Sequence, residues 1–209
     1  MNEIRNWFSS HKAIEEMNRL HGLKPWEAEA AAGFPAGARL LDIGCGTGRE
    51  AFALHAMGFR VTGVDISEAA IEMARRNVPG AVFHVTDGEN LPFEDAAFDV
   101  AIVWAQTFGL VHGEEARRRF LGECGRVLRP GGTLSFSAHD REFQQVHFAE
   151  YLRGSRFYPF ADSEIHYDSY MIEELRSKAE RAGFRVLACG RGEAADGTVL
   201  HCLCIPNLR

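Results

Sequence analysis

Apolar residues recur along this chain in two alternating rhythms. Short, nearly unbroken apolar runs stand at 39–43, 60–65, 81–86 and 98–104, and stretches with helical spacing at 49–57 and 67–77 separate the first three. Apolar positions three and four apart share one face of a helix, whereas an unbroken run of four to eight fits a strand buried on both faces. Val100-Ala101-Ile102-Val103-Trp104 is a run of the second kind. Strands alternating with helices predict βαβ units and a parallel sheet. A further helix is predicted through Phe120, Leu121, Cys124, Val127 and Leu128. Glu114 and Glu115 lie near its start, where the helix dipole favours acids, and Pro130-Gly131-Gly132 stops it. The next strand is predicted at 133–138.

The two ends depart from this rhythm. Ile14, Met17 and Leu20 make a helical stripe that Gly22 and Pro25 interrupt, so residues 1–37 are predicted to form a helical cap ahead of a domain over 38–209. Residues 139–168 show no clean period and read as a lid-like insertion. Its aromatics (Phe143, Phe148, Tyr151, Phe157, Tyr158, Phe160, Tyr167) fit either a satellite core or an apolar wall over a pocket. Asp168 and Ser169 are predicted to cap a last helix bearing Ile172, Leu175, Ala179 and Ala182. Strands at 184–189 and 199–205, joined through 190–197, then predict an antiparallel hairpin.

Composition narrows the function classes. Hydrophobic residues make up 46% and charged residues 25%, an ordinary globular balance. No apolar run of about 18 residues exists, so no membrane-spanning helix and no membrane partner are expected. The first ten residues carry Glu3, Arg5 and Trp7 and no apolar signal core, so a cytoplasmic location is expected. The net charge of −6 argues against a phosphate-binding face. Arg117-Arg118-Arg119 and Arg75-Arg76 read as solvated helix faces, and no nucleic-acid partner is expected. The five cysteines are odd in number and lack a CxxC spacing, so neither zinc nor disulfides are indicated and reduced, buried thiols are expected. Cys202 and Cys204 alternate as strand residues on one face. Oligomeric state has no signature in the chain.

The strongest chemical signal is Leu40-Leu41-Asp42-Ile43-Gly44-Cys45-Gly46-Thr47-Gly48, between a strand and a helix. Glycines there let the backbone turn tightly and approach a ligand that a side chain would block. A nicotinamide-type fingerprint requires a glycine at position 49, which is Arg49, so an oxidoreductase reading is disfavoured. Asp65 ends the second strand run, where a carboxylate can accept both hydroxyls of a ribose; capping the next helix is the structural alternative, and Ser67 can do that alone. Asp87-Gly88-Glu89 follows the third run. It is an ordinary turn sequence, or a carboxylate placed to accept from an adenine amino group.

These stretches, with Phe98-Asp99-Val100-Ala101-Ile102-Val103 and Arg126-Val127-Leu128-Arg129-Pro130-Gly131-Gly132-Thr133-Leu134, occur in an order that resembles the class I S-adenosylmethionine-dependent methyltransferases of the broad small-molecule group. The resemblance spans about residues 38–138. It implies an α/β, doubly wound, mostly parallel seven-stranded sheet with the last strand antiparallel. It implies S-adenosyl-L-methionine as cofactor, with S-adenosyl-L-homocysteine as product. The cofactor set it implies is Asp42, Gly44, Cys45, Gly46, Asp65, Ile66, Asp87, Gly88 and Trp104: the glycine turn toward the methionine part, Asp65 toward the ribose, Asp87 toward the adenine. Trp104-Ala105-Gln106 would line the methyl-transfer site. By analogy with relatives, Trp7, Phe8 and Trp26 would close the pocket from the N-terminal side.

The activity implied is in-line transfer of a methyl group to a small molecule, with N, O, S or C all open as the acceptor atom. A non-catalytic module that binds the same cofactor is the alternative. Members that methylate nucleic-acid bases carry an Asn or Asp, two prolines and an aromatic after the fourth strand; Trp104-Ala105-Gln106-Thr107 does not match. Metal-dependent catechol-type members place carboxylates in this area; none stands in 104–109, so the resemblance implies no metal. A general base is needed only when the acceptor keeps a proton. His139, beside Asp140 after the fifth strand, is the first candidate, and His112, His166 and Tyr167 are the others.

Overall fold

A computed structural model describes residues 2–160, 163–194 and 197–207. Three helices come first: α1 (Asn2–Phe8), α2 (His11–Asn18) and α3 (Pro25–Ala32). Pro25 opens α3, at a position whose N–H has no intrahelical partner in any case. Then follow β1 (Arg39–Ile43), α4 (Arg49–Ala56), β2 (Arg60–Asp65), α5 (Glu68–Asn77), β3 (Val82–Val85), β4 (Phe98–Val103), α6 (Glu114–Val127) and β5 (Leu128–Asp140). The last part holds α7 (Arg141–His147), β6 (Leu152–Arg153), β7 (Arg156–Phe157), β8 (Tyr167–Tyr170), α8 (Ile172–Arg181), β9 (Phe184–Ala194) and β10 (Gly197–Pro206). No helix among the described residues is long and apolar enough to cross a membrane.

The central sheet runs β3-β2-β1-β4-β5-β10-β9. Its pairs are parallel up to β5; β10 is antiparallel to β5 and to β9. The seven-stranded expectation with a reversed last strand therefore holds. From β1 the chain winds outward to β2 and β3, then returns to place β4 on the other side of β1. Strand order reverses there, and the crevice beyond the strand ends at such a point is where open α/β sheets bind ligands. Alternate residues of each strand feed the two faces. Leu41, Ile43, Ala101, Val103 and Phe136 pack toward α6 and α8, while Leu40, Val61, Val100 and Ile102 pack toward α3, α4 and α5.

Three expectations are corrected here. First, β5 is longer than predicted. It pairs with β4 from Leu128 onward, shifting register past Pro130-Gly131-Gly132, and its last two residues pair with β8 (His139 with Ser169, Asp140 with Tyr170). Asp168 and Ser169 thus lie in a strand, and the cap of α8 is Met171, whose N–H donates to Glu174 Oε2 at 3.0 Å. Second, Cys189 and Cys202 stand directly opposite each other in the β9–β10 pair, with Cα atoms 4.2 Å apart, and are joined as a disulfide. Pairing register, which composition does not reveal, brings them together; Cys45, Cys124 and Cys204 remain buried free thiols. Third, Arg117 is not a solvated charge. It is largely buried and ion-paired with Asp168.

The hairpin strands are paired as predicted; residues 195 and 196 of their connection lie outside the described residues. Most aromatics of 139–168 pack on one another, as in Phe148–Phe157, Tyr151–Phe157 and Phe160–Tyr167, and Trp7 lies against Phe160 with ring centres 4.5 Å apart.

Candidate active site

The glycine turn leaves β1 through three left-handed residues, Gly44, Gly46 and Gly48, at φ 81°, 50° and 89°. The N–H groups of Gly44 and Cys45 both reach Val64 O, at 2.8 and 3.1 Å, so the turn is fastened to the end of β2. A side chain at Gly44 is excluded twice. Its φ is strained for any L-residue, and a Cβ would stand 2.6 Å from Thr107 Oγ1. The Thr107 side chain, after β4, therefore packs against the turn after β1.

A cavity of about 410 Å³ opens at this edge of the sheet. Gly44, Gly46, Asp65, Ile66, Asp87 and Gly88 line it, together with Ile4, Phe8 and Met17 of the N-terminal helices and Leu20 just after α2. Asp65 Oδ2 accepts the Gly46 N–H at 2.9 Å and Oδ1 accepts the Ser67 N–H at 2.9 Å. The carboxylate keeps acceptor capacity beyond these bonds. Burial pushes the Asp65 carboxyl up, against the opposing pull of those N–H groups. Ser67 caps α5 by itself, accepting from Ala70 N, so Asp65 is not the cap. Asp87 Oδ1 accepts the Glu89 and Asn90 N–H groups, so the ordinary Asx turn is present while Asp87 lines the cavity. Glu123 and Arg126 of α6 pin this loop by bonds to the Leu91 N–H and to the Leu91 and Phe93 carbonyls.

Three residues of the expected cofactor set lie behind the wall rather than in it. Asp42 is 1% exposed, and its Oδ2 has no hydrogen-bond partner among the described residues. Burial, then the charge of Glu50, push its carboxyl well above the usual range, with Arg49 pulling the other way. Cys45 is buried beneath the turn against Gly63. Trp104 is the correction. Its side chain turns into the core against Trp26 and Phe34, and Nε1 donates to Ser135 Oγ at 2.7 Å. Trp26 is likewise core, whereas Phe8 does line the cavity.

Sequence reasoning missed two features. Arg49 forks onto Glu27 of α3 and also contacts Glu50, which ties the cap to the glycine turn. Ala105 and Gln106 lie consecutively in the left-handed region, at φ 50° and 60°, directly after β4. Such strain in non-glycine residues clusters at functional sites. Gln106 lines the cavity, its N–H donates to Ser137 Oγ at 3.2 Å, and its buried Nε2 has no partner among the described residues. No local sequence pattern encodes this strain.

The histidines also rearrange. His139 sits inside the β5–β8 pairing, its ring edge-on to Phe157 and Tyr167, and is not among the cavity-lining residues. His112 and Tyr167 do line the cavity. The His112 ring stacks on His166 with centres 4.0 Å apart. Donor atoms of His112, His166 and Asp168 lie within 4.8 Å of one another. Asp168 is, however, engaged by Arg117.

Comparisons with known proteins agree with this geometry. A methyltransferase-domain model matches residues 41–136. The chain is 36% identical over 132 residues to a phthiotriol/phenolphthiotriol dimycocerosates methyltransferase of Mycobacterium leprae, covering 60% of this chain and 46% of that protein. It is 37% identical over 141 residues to a 27-O-demethylrifamycin SV methyltransferase of Amycolatopsis mediterranei, covering 62% and 47%. The chain thus spans about half the length of the curated relatives it matches. A solved S-adenosylmethionine-dependent methyltransferase from Methanosarcina mazei shares the fold, with a TM-score of 0.77 at 23% identity over 90% of this chain and 99% of that one. Residues 41–136 thus match a methyltransferase domain, carried on the same fold as a solved S-adenosylmethionine-dependent methyltransferase.

Proposed function

We propose that this chain transfers the methyl group of S-adenosylmethionine to a small, largely apolar acceptor by in-line displacement. The observation that carries the reading is one cavity with two unlike walls. A glycine turn with the carboxylates of Asp65 and Asp87 faces a wall of Ile4, Phe8, Met17 and Leu20.

The residues present fit the cofactor. Asp65 keeps acceptor positions for ribose hydroxyls, Asp87 Oδ2 has no partner among the described residues, and the buried orphan oxygen of Asp42 stands just before the turn. Asp65, Asp87 and the Gly44–Gly46 backbone would hold it. When bound, it supplies a methyl carbon already activated by the neighbouring positive sulfur. What remains for the protein is orientation and exclusion of water, which is worth several kcal/mol in well-oriented systems. The helical wall excludes water. Gln106 Nε2, buried and unpaired, is a donor for the acceptor or the cofactor. Relatives named for dimycocerosates and for a rifamycin support a small-molecule acceptor, as does the net charge of −6.

The test is calorimetry of S-adenosylmethionine binding to the wild type and to Asp65→Ala. Micromolar affinity is expected, weakened by roughly 1.5–3 kcal/mol in the variant, the loss typical of a charge-assisted hydrogen-bonding site. No binding by folded wild-type protein overturns the reading.

A further inference from the structure

Among the described residues, His112 is the histidine that lines the cavity, and its contacts decide which of its nitrogens can act. Its Nε2 lies 2.9 Å from the His166 carbonyl oxygen. A carbonyl only accepts, so Nε2 carries the proton and Nδ1 holds the lone pair. Among the described residues Nδ1 has no hydrogen-bond partner. The ring is fixed from one side by His166, stacked parallel within 2°. The arrangement is a neutral imidazole with a bare nitrogen, held in one tautomer at the wall of the cavity.

We infer that His112 Nδ1 is the proton acceptor of this site and that the methyl acceptor it serves is a hydroxyl on an apolar frame. The inference rests on the methyltransferase reading and deepens it. Leu110 and Val111, next to His112, and Phe8 across the cavity supply the apolar surroundings. Arg117, held by Asp168, and Arg156 surround the imidazole with positive charge. Together with burial, the larger cause, they hold it below its usual titration range and so neutral. The same two cations repel an ammonium acceptor, oppose a divalent ion at the His112–His166–Asp168 group, and favour an oxygen that gains negative charge. In the step, the acceptor oxygen forms a bond to the methyl carbon and the carbon–sulfur bond breaks with its electron pair going to sulfur. The hydroxyl proton passes to Nδ1, and the resulting imidazolium discharges to solvent.

Two measurements test this. In the wild type, long-range ¹⁵N–¹H NMR correlations, with His112 identified by the peaks missing from His112→Gln, should show the Nε2–H tautomer at neutral pH. An Nδ1–H tautomer overturns the inference without relying on the behaviour of any variant. The second probe is 4-nitrophenol, titrated into the protein saturated with S-adenosylhomocysteine. The bound probe should show at least tenfold more phenolate at pH 6 than the free probe, and H112Q and H112A, folded by circular dichroism, should lose that excess. No excess in the wild type, or an excess that both variants keep, overturns it. Calorimetric binding of S-adenosylhomocysteine alone reports on the parent reading, so the two failures are distinguishable.

Discussion

Arg49 and Glu27 meet in a two-pronged ion pair, Nη1 to Oε2 at 2.7 Å and Nη2 to Oε1 at 2.8 Å, with the Glu27 side chain fully buried. Arg49 also donates to the Gly22 carbonyl, so a residue at the end of the glycine turn grips the chain on both sides of the α3 start. Removing one partner of a buried pair strands the other, at about 3–5 kcal/mol. Glu27→Ala should therefore lower the unfolding free energy by that order in urea titrations and weaken S-adenosylmethionine binding. Loss of binding with unchanged stability would mean that Glu27 acts on the ligand and not on the turn.

Asp42 is a second case, with the opposite sign for stability. Its carboxyl is buried, has an unpartnered oxygen, and titrates well above its usual value near 3.9. A carboxyl raised in the folded state binds more protons there than in the unfolded chain, so stability falls as pH climbs from the unfolded value toward the folded one. Asp42→Asn keeps the shape and removes the charge. The ligand-free variant should be more stable at neutral pH, by roughly 1–3 kcal/mol, the scale of an uncompensated buried polar group. Its affinity for S-adenosylmethionine should drop at least tenfold. Lower stability with unchanged affinity would make Asp42 purely structural.

His201 predicts an acid sensitivity. Ser135 Oγ accepts from Trp104 Nε1 and stands 2.8 Å from His201 Nε2, within hydrogen-bond reach. Burial then pushes the imidazole down to about 4. The unfolded chain takes up this proton near 6.5, so stability is full above that pH and falls as pH drops toward 4. Between pH 7 and 4.5 the wild type should lose about 2–3 kcal/mol more than His201→Gln, measured by urea unfolding at each pH. Parallel losses in the two proteins would show that His201 is already protonated in the fold.

The sheet and most of the residues it carries to the cavity edge were legible because each depends on short stretches of chain. The 40–48 turn, Asp65 and Asp87 follow apolar runs, and strand ends carry such residues to one edge whatever the rest does. The failures share a cause, which is pairing across long separations. Nothing near Trp104 in sequence announces that Ser135 waits 31 positions away to take its N–H. Cys189 and Cys202 required a register, and the place of His139 in the sheet depends on β5 running two residues further to meet β8. Arg117 read as one of three surface arginines, although Asp168, 51 positions on, buries it.

The cavity draws its two walls from separate lengths of chain: strand ends between residues 43 and 88 on one side, residues 4–24 on much of the other. The helical wall takes no part in strand pairing, so its side chains can change size and polarity while the sheet stays intact. Donor and acceptor selectivity are in that sense modular. Under the proposed function, changing single cavity-facing side chains such as Ile4 or Leu20, while keeping the backbone that Arg49 and Ser67 hold at Gly22 and Phe8, is a route to a new acceptor.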